Sequence, residues 1–159
     1  MRTDTAHTIK HREYANDEFM TPALLAQSLV SLLPPLKGLR VFEPCIGEGA
    51  FANVLPNPIL IDGDFYDYTN TVDWVITNPP YSDLDKWLRH SFTISQVGVA
   101  LLLGLLNITP RRLEMANEMG FGLTKIHLCK VFHWFGISAF VIWQKGQSDI
   151  ITYDRIVWR

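Results

Sequence analysis

A run of ten residues without a polar or charged side chain, residues 97–106, constrains the fold of this chain more than any other segment. Such a run is typical of a strand that is buried on both faces of a parallel sheet. Three shorter, mainly apolar segments precede it at residues 39–42, 59–61 and 72–77. We expect each of them to form a further strand, so the chain predicts a mostly parallel sheet.

Helical segments alternate with the predicted strands. Thr21-Pro22 and Thr109-Pro110 both have the pattern of an N-cap followed by proline at the first helical position. We expect helices over three segments and a short helix after a glycine-containing turn: residues 23–33, 83–94, 110–120 and 47–54. Alternation of helices with buried strands is typical of α/β proteins.

The last third of the chain has a different pattern. Segments rich in β-branched and aromatic residues are separated by Phe135-Gly136 and Lys145-Gly146, which are typical of hairpin turns. We expect strands over residues 123–132, 139–144 and 150–158. The predicted fold class is therefore α/β, with a mostly parallel sheet and a C-terminal antiparallel hairpin.

Size and composition limit the function classes that are open to the chain. Its 159 residues, 48% of them hydrophobic, predict a single domain over residues 1–159, in which residues 1–18 form a loose polar arm. No apolar run reaches 18 residues and the first ten residues are polar, so neither a membrane span nor an export signal is expected. Two cysteines form no disulfide or zinc framework, so we predict a cytoplasmic protein without a metal site.

Charge is distributed unevenly along the chain. The net charge is −2, which argues against a nonspecific nucleic-acid binder. Residues 1–78 contain 5 Lys/Arg and 10 Asp/Glu, whereas residues 79–159 contain 9 and 6, so the two halves carry −5 and +3. A polyanionic partner is expected to meet the second half, where Arg111-Arg112 predict either phosphate contacts or a solvated face.

A glycine-containing turn follows the first predicted strand. Gly47 and Gly49 permit a tight turn at the carboxyl end of that strand, where open parallel sheets bind their ligands. Together with Ala52, they satisfy the Gly/Ala form of the dinucleotide fingerprint. Glu43 at the end of the strand would repel a pyrophosphate but would accept hydrogen bonds from an ammonium group. A zwitterionic cofactor therefore fits this turn better than NAD does.

A second turn, Asn78-Pro79-Pro80-Tyr81, follows the strand predicted over residues 72–77. The two prolines make the turn extended and remove backbone donors, so the Asn78 side-chain oxygen and the Pro79 carbonyl are the main acceptors. Two acceptors can hold both hydrogens of an exocyclic amino group and aim its lone pair at an electrophile. Tyr81 is available to stack on a planar ring, so this turn predicts chemistry on an amino nitrogen.

Together, these motifs resemble those of the S-adenosylmethionine-dependent amino-methyltransferases, above all the DNA adenine N6 type. The resemblance covers residues 14–143 and rests on Phe19-x-Thr21-Pro22, Glu43-Pro44-x-x-Gly47-x-Gly49-x-Phe51 and Asn78-Pro79-Pro80-Tyr81. It implies methyl transfer from S-adenosylmethionine to N6 of adenine in DNA, as in restriction-modification. Catalysis of this kind depends on alignment and lone-pair activation and uses no metal.

The resemblance also implies a role for each matching residue of the cofactor site. The methionine end of the cofactor would be lined by Phe19, Thr21 and Pro22, and its amino-acid moiety would be surrounded by Glu43, Gly47 and Gly49, with Pro44 and Phe51 beside them. Asp62 would hold the ribose hydroxyls, and Asp64 with Phe65 would grip and cover the adenine. The division of these duties between Asp62 and Asp64 is left open.

On the substrate side, the resemblance implies a catalytic turn formed by Asn78, Pro79, Pro80 and Tyr81. Asn78 and Pro79 would orient the target amine, and Tyr81 would stack on a base that has been flipped out of the duplex. An aromatic residue of the late loop, Trp134 or Phe135, would cover the other face of the base.

Two departures from the family's pattern matter for these expectations. Only 9 residues separate Asp62 from Val72, where the family usually has a helix, a strand and sometimes another helix. We therefore expect a trimmed, doubly wound Rossmann-like sheet. No target-recognition domain is expected after the late aromatic loop, so sequence readout would come from short loops, the arm 1–18, a separate specificity partner, or a second copy in a homodimer.

Other interpretations stay open at this point. RNA adenine and the side-chain amide of a protein glutamine are alternative acceptors for the same Asn-Pro-Pro-Tyr turn. From a different class, a catalytically idle module that binds the cofactor or nucleic acid also agrees with so reduced a cofactor lobe. A nicotinamide-dependent oxidoreductase is disfavoured by Glu43-Pro44 and by the turn that begins at Asn78.

Overall fold

The computed structural model of the chain describes residues 20–131, 134 and 136–154. In chain order its strands are β1 (Val41–Glu43), β2 (Ile59–Leu60), β3 (Val72–Thr77), β4 (Ser95–Gly104), β5 (Phe121–Cys129) and β6 (Ser138–Lys145). They form one sheet in the order β2-β1-β3-β4-β6-β5. The first four are parallel neighbours, whereas β6 runs antiparallel to both β4 and β5. The predicted mostly parallel α/β sheet with a C-terminal antiparallel hairpin is therefore confirmed.

Strands β3 and β4 form the centre of this sheet. The bounds of β3 are those predicted from the sequence, whereas β4 begins two residues before the apolar run and ends at Gly104. The last apolar positions of the run enter a 3-10 turn at Leu105–Asn107. Residues 98–103 are all buried, because both faces of β4 are covered.

Helices cover the two faces of the sheet. They are α1 (Ala23–Val30), α2 (Leu84–Ile94) and α3 (Pro110–Glu118). Alternate residues of the central strands point to opposite faces, so two apolar clusters form. One joins Val75, Val99 and Leu101 to α2 and α3, and the other joins Trp74, Ile76 and Ala100 to α1. The doubly wound arrangement is therefore confirmed. None of the helices that the structure describes is long and apolar enough to cross a membrane.

The two threonine-proline pairs have different roles. Thr109 caps α3, because its hydroxyl accepts a hydrogen bond from the Arg112 backbone N–H at 3.4 Å. At α1 the N-cap is Pro22, and no side chain caps the helix. The hydroxyl of Thr21 instead accepts a hydrogen bond from the side chain of Asn78. The prediction of Thr21 as a cap is therefore wrong, because a tertiary contact occupies its side chain.

The short helix expected after the glycine-containing turn is also absent. Residues 47–54 form successive turns, closed by hydrogen bonds such as the one from the Asn53 backbone N–H to the Gly49 carbonyl at 2.9 Å. Gly47 and Gly49 have positive φ angles, which interrupt a right-handed helix in its first residues. The later hydrogen bonds have mixed spacing, because the Phe51 carbonyl accepts from the backbone N–H groups of both Val54 and Leu55 at 3.0 Å.

The two ends of the sheet are reduced. After β2, which has two residues, only a 3-10 turn at Phe65–Asp67 precedes β3, so the expected trimmed edge is confirmed. At the other end, residues 150–154 of the third predicted hairpin segment form no strand. Asp149 accounts for this, because its carboxylate accepts hydrogen bonds from the Leu123 backbone N–H at 2.6 Å and from Asn117 at 2.7 Å. These bonds tie the segment to the start of β5 and to α3 instead of extending a ladder.

Candidate functional site

The carboxyl ends of β1 and β3 meet in the parallel part of the sheet. From β1 the chain crosses to β2 on one side, and from β3 it crosses to β4 on the other. The crevice between two such strands is where open α/β sheets bind ligands. Glu43 ends β1 and Thr77 ends β3, so the glycine turn and the Asn-Pro-Pro-Tyr turn begin side by side.

A cavity of about 280 Å³ lies at this crevice. Its volume is close to the lower end of the range for small-molecule sites, roughly 300–1,000 Å³. The lining residues come from the segment before α1, the glycine turn and the Asn-Pro-Pro turn: Met20, Thr21, Pro44, Cys45, Ile46, Gly47, Glu48, Ala50, Phe51, Asn78, Pro79 and Pro80. The structure thus brings together the three segments on which the sequence motifs lie.

Glu43 lies directly before the lining residues Pro44 and Cys45 and is only 1% exposed. Its Oε1 atom accepts hydrogen bonds from the Cys45 backbone N–H at 3.0 Å and from the Thr77 hydroxyl. Burial raises the pKa of Glu43 to about 8, although both hydrogen bonds act in the opposite direction. Among the described residues no donor contacts Oε2.

Asn78 connects the Asn-Pro-Pro turn to the segment before α1. Its Nδ2 atom donates a hydrogen bond to the Thr21 hydroxyl at 3.2 Å, and both residues line the cavity. Because the amide nitrogen faces Thr21, the amide carbonyl oxygen is turned away from Thr21. The contact therefore sets the orientation of the amide at the wall of the cavity.

The two glycines of the turn adopt left-handed backbone angles. Gly47 has φ 51° and Gly49 has φ 82°, and the Gly49 N–H donates to the Ile46 carbonyl at 2.7 Å. A Cβ atom on Gly47 would come within 3.3 Å of the Met20 sulfur. Side chains are therefore disfavoured at both positions, and the backbone of the turn is accessible from the cavity at Gly47.

The acidic and aromatic residues after β2 lie outside the cavity lining. Asp62 and Asp64 are exposed, and Asp64 accepts a hydrogen bond from the Tyr66 backbone N–H at 2.9 Å. Phe65 is 7% exposed and stacks on Trp87 with 4.2 Å between the ring centroids. The structure places Phe65 mainly in the core, whereas the two carboxylates face solvent beside the end of β1.

Tyr81 also lies outside the cavity lining. Its ring is half-buried against the apolar cluster that α2 and α3 cover. The Gly104 backbone donates a hydrogen bond to its phenol oxygen, but burial is the larger effect and raises the pKa of Tyr81. Tyr81 therefore joins the turn after β3 to the end of β4.

Of the remaining predicted site residues, Pro22 and Gly49 flank the cavity without lining it. Trp134 is half-buried and packs against the cluster on the α1 face, which also contains Phe51. Phe19, Phe135 and the arm 1–18 lie outside the residues that the structure describes. In its described parts, the chain has no group of three His, Cys, Asp or Glu side chains that could hold a metal ion.

Several site residues were missed by the sequence motifs. Thr77 donates a hydrogen bond to Glu43, but it lies one residue before the Asn-Pro-Pro-Tyr motif and was therefore not selected. Pairing of β1 with β3 in a parallel sheet is the feature that would have predicted this contact. Met20 lines the cavity because it lies directly before Thr21. Cys45 lies between Glu43 and Gly47, so the glycine motif itself was the signal for its place.

Comparisons with known proteins identify the fold. No protein-family model and no curated protein sequence matches the chain. Among solved structures, it is similar to a Pyrococcus horikoshii protein described as an RNA methyltransferase, with TM-score 0.65 and 20% identity over 80% of this chain and 86% of that one. It is also similar to magnesium protoporphyrin IX methyltransferase from Synechocystis with bound S-adenosylhomocysteine, with TM-score 0.61 and 11% identity over 89% and 95% of the two chains.

A third similar structure is larger. It is a Vibrio vulnificus protein described as the modification subunit of a type I restriction enzyme, with TM-score 0.63 and 14% identity over 91% of this chain and 48% of that one. The Synechocystis enzyme has also been crystallised with bound S-adenosylmethionine. At these identities the similarities establish the fold, which is the Rossmann-like fold of methyltransferases.

Proposed function

We propose that this chain is a methyltransferase that transfers a methyl group from S-adenosylmethionine to the N6 amino group of adenine in DNA. One observation carries the proposal: the turn after Glu43 and the turn that begins at Asn78 line the same cavity, at the crevice between β1 and β3 of a methyltransferase fold. The first turn suits a zwitterionic ligand, and the second suits an amino group.

The residues of the first turn fit the amino-acid end of S-adenosylmethionine. The Glu43 Oε2 atom, which no described donor contacts, is the proposed acceptor for the ammonium group, and the glycine turn at Gly47 lets a ligand approach the backbone. Thr21, Pro44 and Phe51 line the same space. When bound, S-adenosylmethionine supplies an electrophilic methyl group, and its transfer to an amine leaves S-adenosylhomocysteine and one proton.

We assign the adenosine end of the cofactor to the region after β2. Asp62 is exposed at the end of the strand next to β1, which supports a role in holding the ribose hydroxyls. Asp64 is the proposed partner of the cofactor adenine. Phe65 exposes 7% of its surface, so its proposed contact with the adenine is limited to the edge of its ring.

The residues of the second turn orient the target amine. The Asn78 side-chain oxygen and the Pro79 carbonyl would accept its two hydrogens, which directs the nitrogen lone pair away from the base plane. Thr21 holds the Asn78 amide by its nitrogen, which supports the carbonyl oxygen as the acceptor. Catalysis would then rest on alignment, and the amine proton would be released after attack.

The target base would be held by aromatic side chains around this turn. Tyr81 is the proposed stacking residue, with Trp134 or Phe135 on the other face of the base. The net charge of +3 in residues 79–159, which contain these side chains, supports a polyanionic partner. The chain spans 48% of the length of the Vibrio modification subunit. Sequence recognition with a separate specificity partner or a second copy is part of the proposal.

The proposed roles of the two turns are tested by separating cofactor binding from methyl transfer. We expect Asn78→Ala to lower the rate of labelled-methyl transfer to DNA by at least about 100-fold, because the main acceptor for the amine is lost. Calorimetry should give nearly unchanged affinity for S-adenosylmethionine, since the first turn is intact. Asn70→Ala, in an exposed position outside the cavity lining and outside both turns, is the matched control and should retain activity.

Two results would contradict the proposal. Equal loss of cofactor affinity and methyl transfer in Asn78→Ala would make Asn78 a structural residue. Tight binding of NADH by the wild-type chain, with none of S-adenosylmethionine, would exclude the methyl-transfer chemistry altogether.

A further inference from the structure

The guanidinium group of Arg112 connects three elements near the proposed substrate side of the site. Arg112 lies in the first turn of α3, and its side chain is 20% exposed. Its Nε atom donates to the Asp85 carboxylate at 2.7 Å, and one terminal nitrogen donates to the Asn107 backbone carbonyl at 2.9 Å and to its side-chain oxygen at 3.0 Å. The planar fork of an arginine can make such contacts in two directions at once.

These partners lie close in sequence to the two groups that Tyr81 already joins. Asp85 is in the first turn of α2, four residues after Tyr81, and Asn107 ends the 3-10 turn, three residues after Gly104. The phenol of Tyr81 accepts a hydrogen bond from the Gly104 backbone. Two sets of hydrogen bonds therefore connect the chain after β3 to the chain after β4, one through Tyr81 and one through Arg112.

The neighbouring Arg111 provides a contrast. Its guanidinium lies 3.3 Å from the other oxygen of Asp85, but its side chain is 82% exposed, and its ion pair joins α3 to α2 alone. An exposed pair of this kind contributes little to stability. Arg112 differs because its Nε and one terminal nitrogen join α3 both to α2 and to the 3-10 turn after β4.

We propose that Arg112 is a positioning residue: by fastening Asp85 to Asn107 it fixes the loops after β3 and β4, and thereby the place of the Tyr81 ring. The inference deepens the proposed function, on which it rests, because Tyr81 is the residue proposed to stack on the target base. The described hydrogen bonds of Arg112 reach none of the cavity-lining residues, so we expect cofactor binding to be independent of it.

The first test is independent of methyl transfer. Tyrosine ring carbons are labelled with carbon-13, and the Tyr81 resonance is identified by its absence in Tyr81→Phe. Arg112→Lys keeps the charge but cannot reach Asp85 and Asn107 together, so we expect the Tyr81 resonance to shift or broaden. Arg111→Lys, the matched control, should leave it unchanged. An unchanged Tyr81 resonance in Arg112→Lys overturns the inference, whatever reaction the chain catalyses.

The second test uses methyl transfer to DNA. We expect kcat of Arg112→Lys to fall roughly 10-fold to 100-fold, because a displaced stacking residue misaligns the base, with unchanged affinity for S-adenosylmethionine. Arg111→Lys should match the wild type. If Arg112→Lys does not fold, Asp85→Asn is examined in the same two ways. Wild-type kcat in these variants overturns the inference, whereas absence of transfer in the wild-type chain contradicts the proposed function and leaves the resonance test valid.

Discussion

Glu43 is a buried carboxyl group whose protonation depends on the cavity beside it. Burial raises the pKa of Glu43 to about 8, so most of its carboxyl groups are protonated and neutral at pH 7. An ammonium group at Oε2 would favour the ionised form, because an opposite charge nearby lowers the pKa of a carboxyl group. Binding of such a ligand would therefore displace a proton from Glu43 below pH 8.

This linkage predicts how the affinity for S-adenosylmethionine changes with pH. Because the raised pKa is that of the unbound chain, affinity should fall as the pH is lowered through 8, by at most about tenfold per pH unit. Calorimetry between pH 6 and 8 measures the slope. Glu43→Gln should bind weakly with little slope, and methylthioadenosine, which lacks the ammonium group, should bind the wild type with little slope as well. Affinity that rises on acidification would contradict the assignment of Glu43.

Local motifs account for part of the cavity lining. Pro44 and Gly47 belong to one motif and Asn78 begins another, and all three line the cavity, whereas their roles in binding stay predictions. The contact between Asn78 and Thr21 spans 57 positions and could not be predicted from spacing. The burial of Phe65 against Trp87 could not be predicted from spacing either, since it depends on where α2 packs.

Strands β3 and β4 pack closely at one point, where a glycine faces a tryptophan. Gly98 of β4 pairs with Trp74 of β3, and both are buried. A Cβ atom on Gly98 would overlap the six-membered ring of Trp74 and lie 2.9 Å from the Trp143 carbonyl oxygen. Neither group can move without disturbing the sheet, so this position requires the absence of a side chain.

This contact predicts a specific pattern of stability. Gly98→Ala should lower the free energy of unfolding by about 1–3 kcal/mol, as overpacking in a dense core does. Trp74→Phe removes the ring atoms that a Cβ on Gly98 would overlap, so Gly98→Ala should lower the free energy of unfolding by less in the Trp74→Phe variant than in the wild type. Urea denaturation of the four variants measures the coupling. Equal costs of Gly98→Ala in both backgrounds would show that Trp74 is not the obstacle.

Helices and strands were predictable to the extent that local patterns determine them. β3 and the cap at Thr109 follow from apolar patterning and side-chain chemistry, and both are confirmed. The helix expected after the glycine turn does not form, because Gly47 and Gly49 adopt left-handed backbone angles that the conformation of the whole turn determines. The third predicted hairpin strand does not form at residues 150–154, its described part, where the side chain of Asp149 ties the segment to β5 and α3.

The molecule as a whole combines a complete crevice with a reduced sheet edge. The crevice between β1 and β3 is formed by both turns, whereas the edge beyond β1 consists of two-residue β2 and a 3-10 turn. The proposed adenosine site therefore faces solvent at Asp62 and Asp64. Under the proposed function, affinity for the cofactor depends mainly on its amino-acid end, which the cavity encloses.

The central proposal concerns the atom that receives the methyl group, and nucleoside analysis tests it most directly. DNA, RNA and an unrelated protein are offered together to the wild-type chain with S-adenosylmethionine that carries a labelled methyl group. After digestion, we expect the label in N6-methyldeoxyadenosine, because the Asn78 turn is suited to an exocyclic amine beside a planar ring. Label in RNA adenosine, in a cytosine derivative or in protein glutamine, or the absence of any transfer, would contradict the proposed substrate.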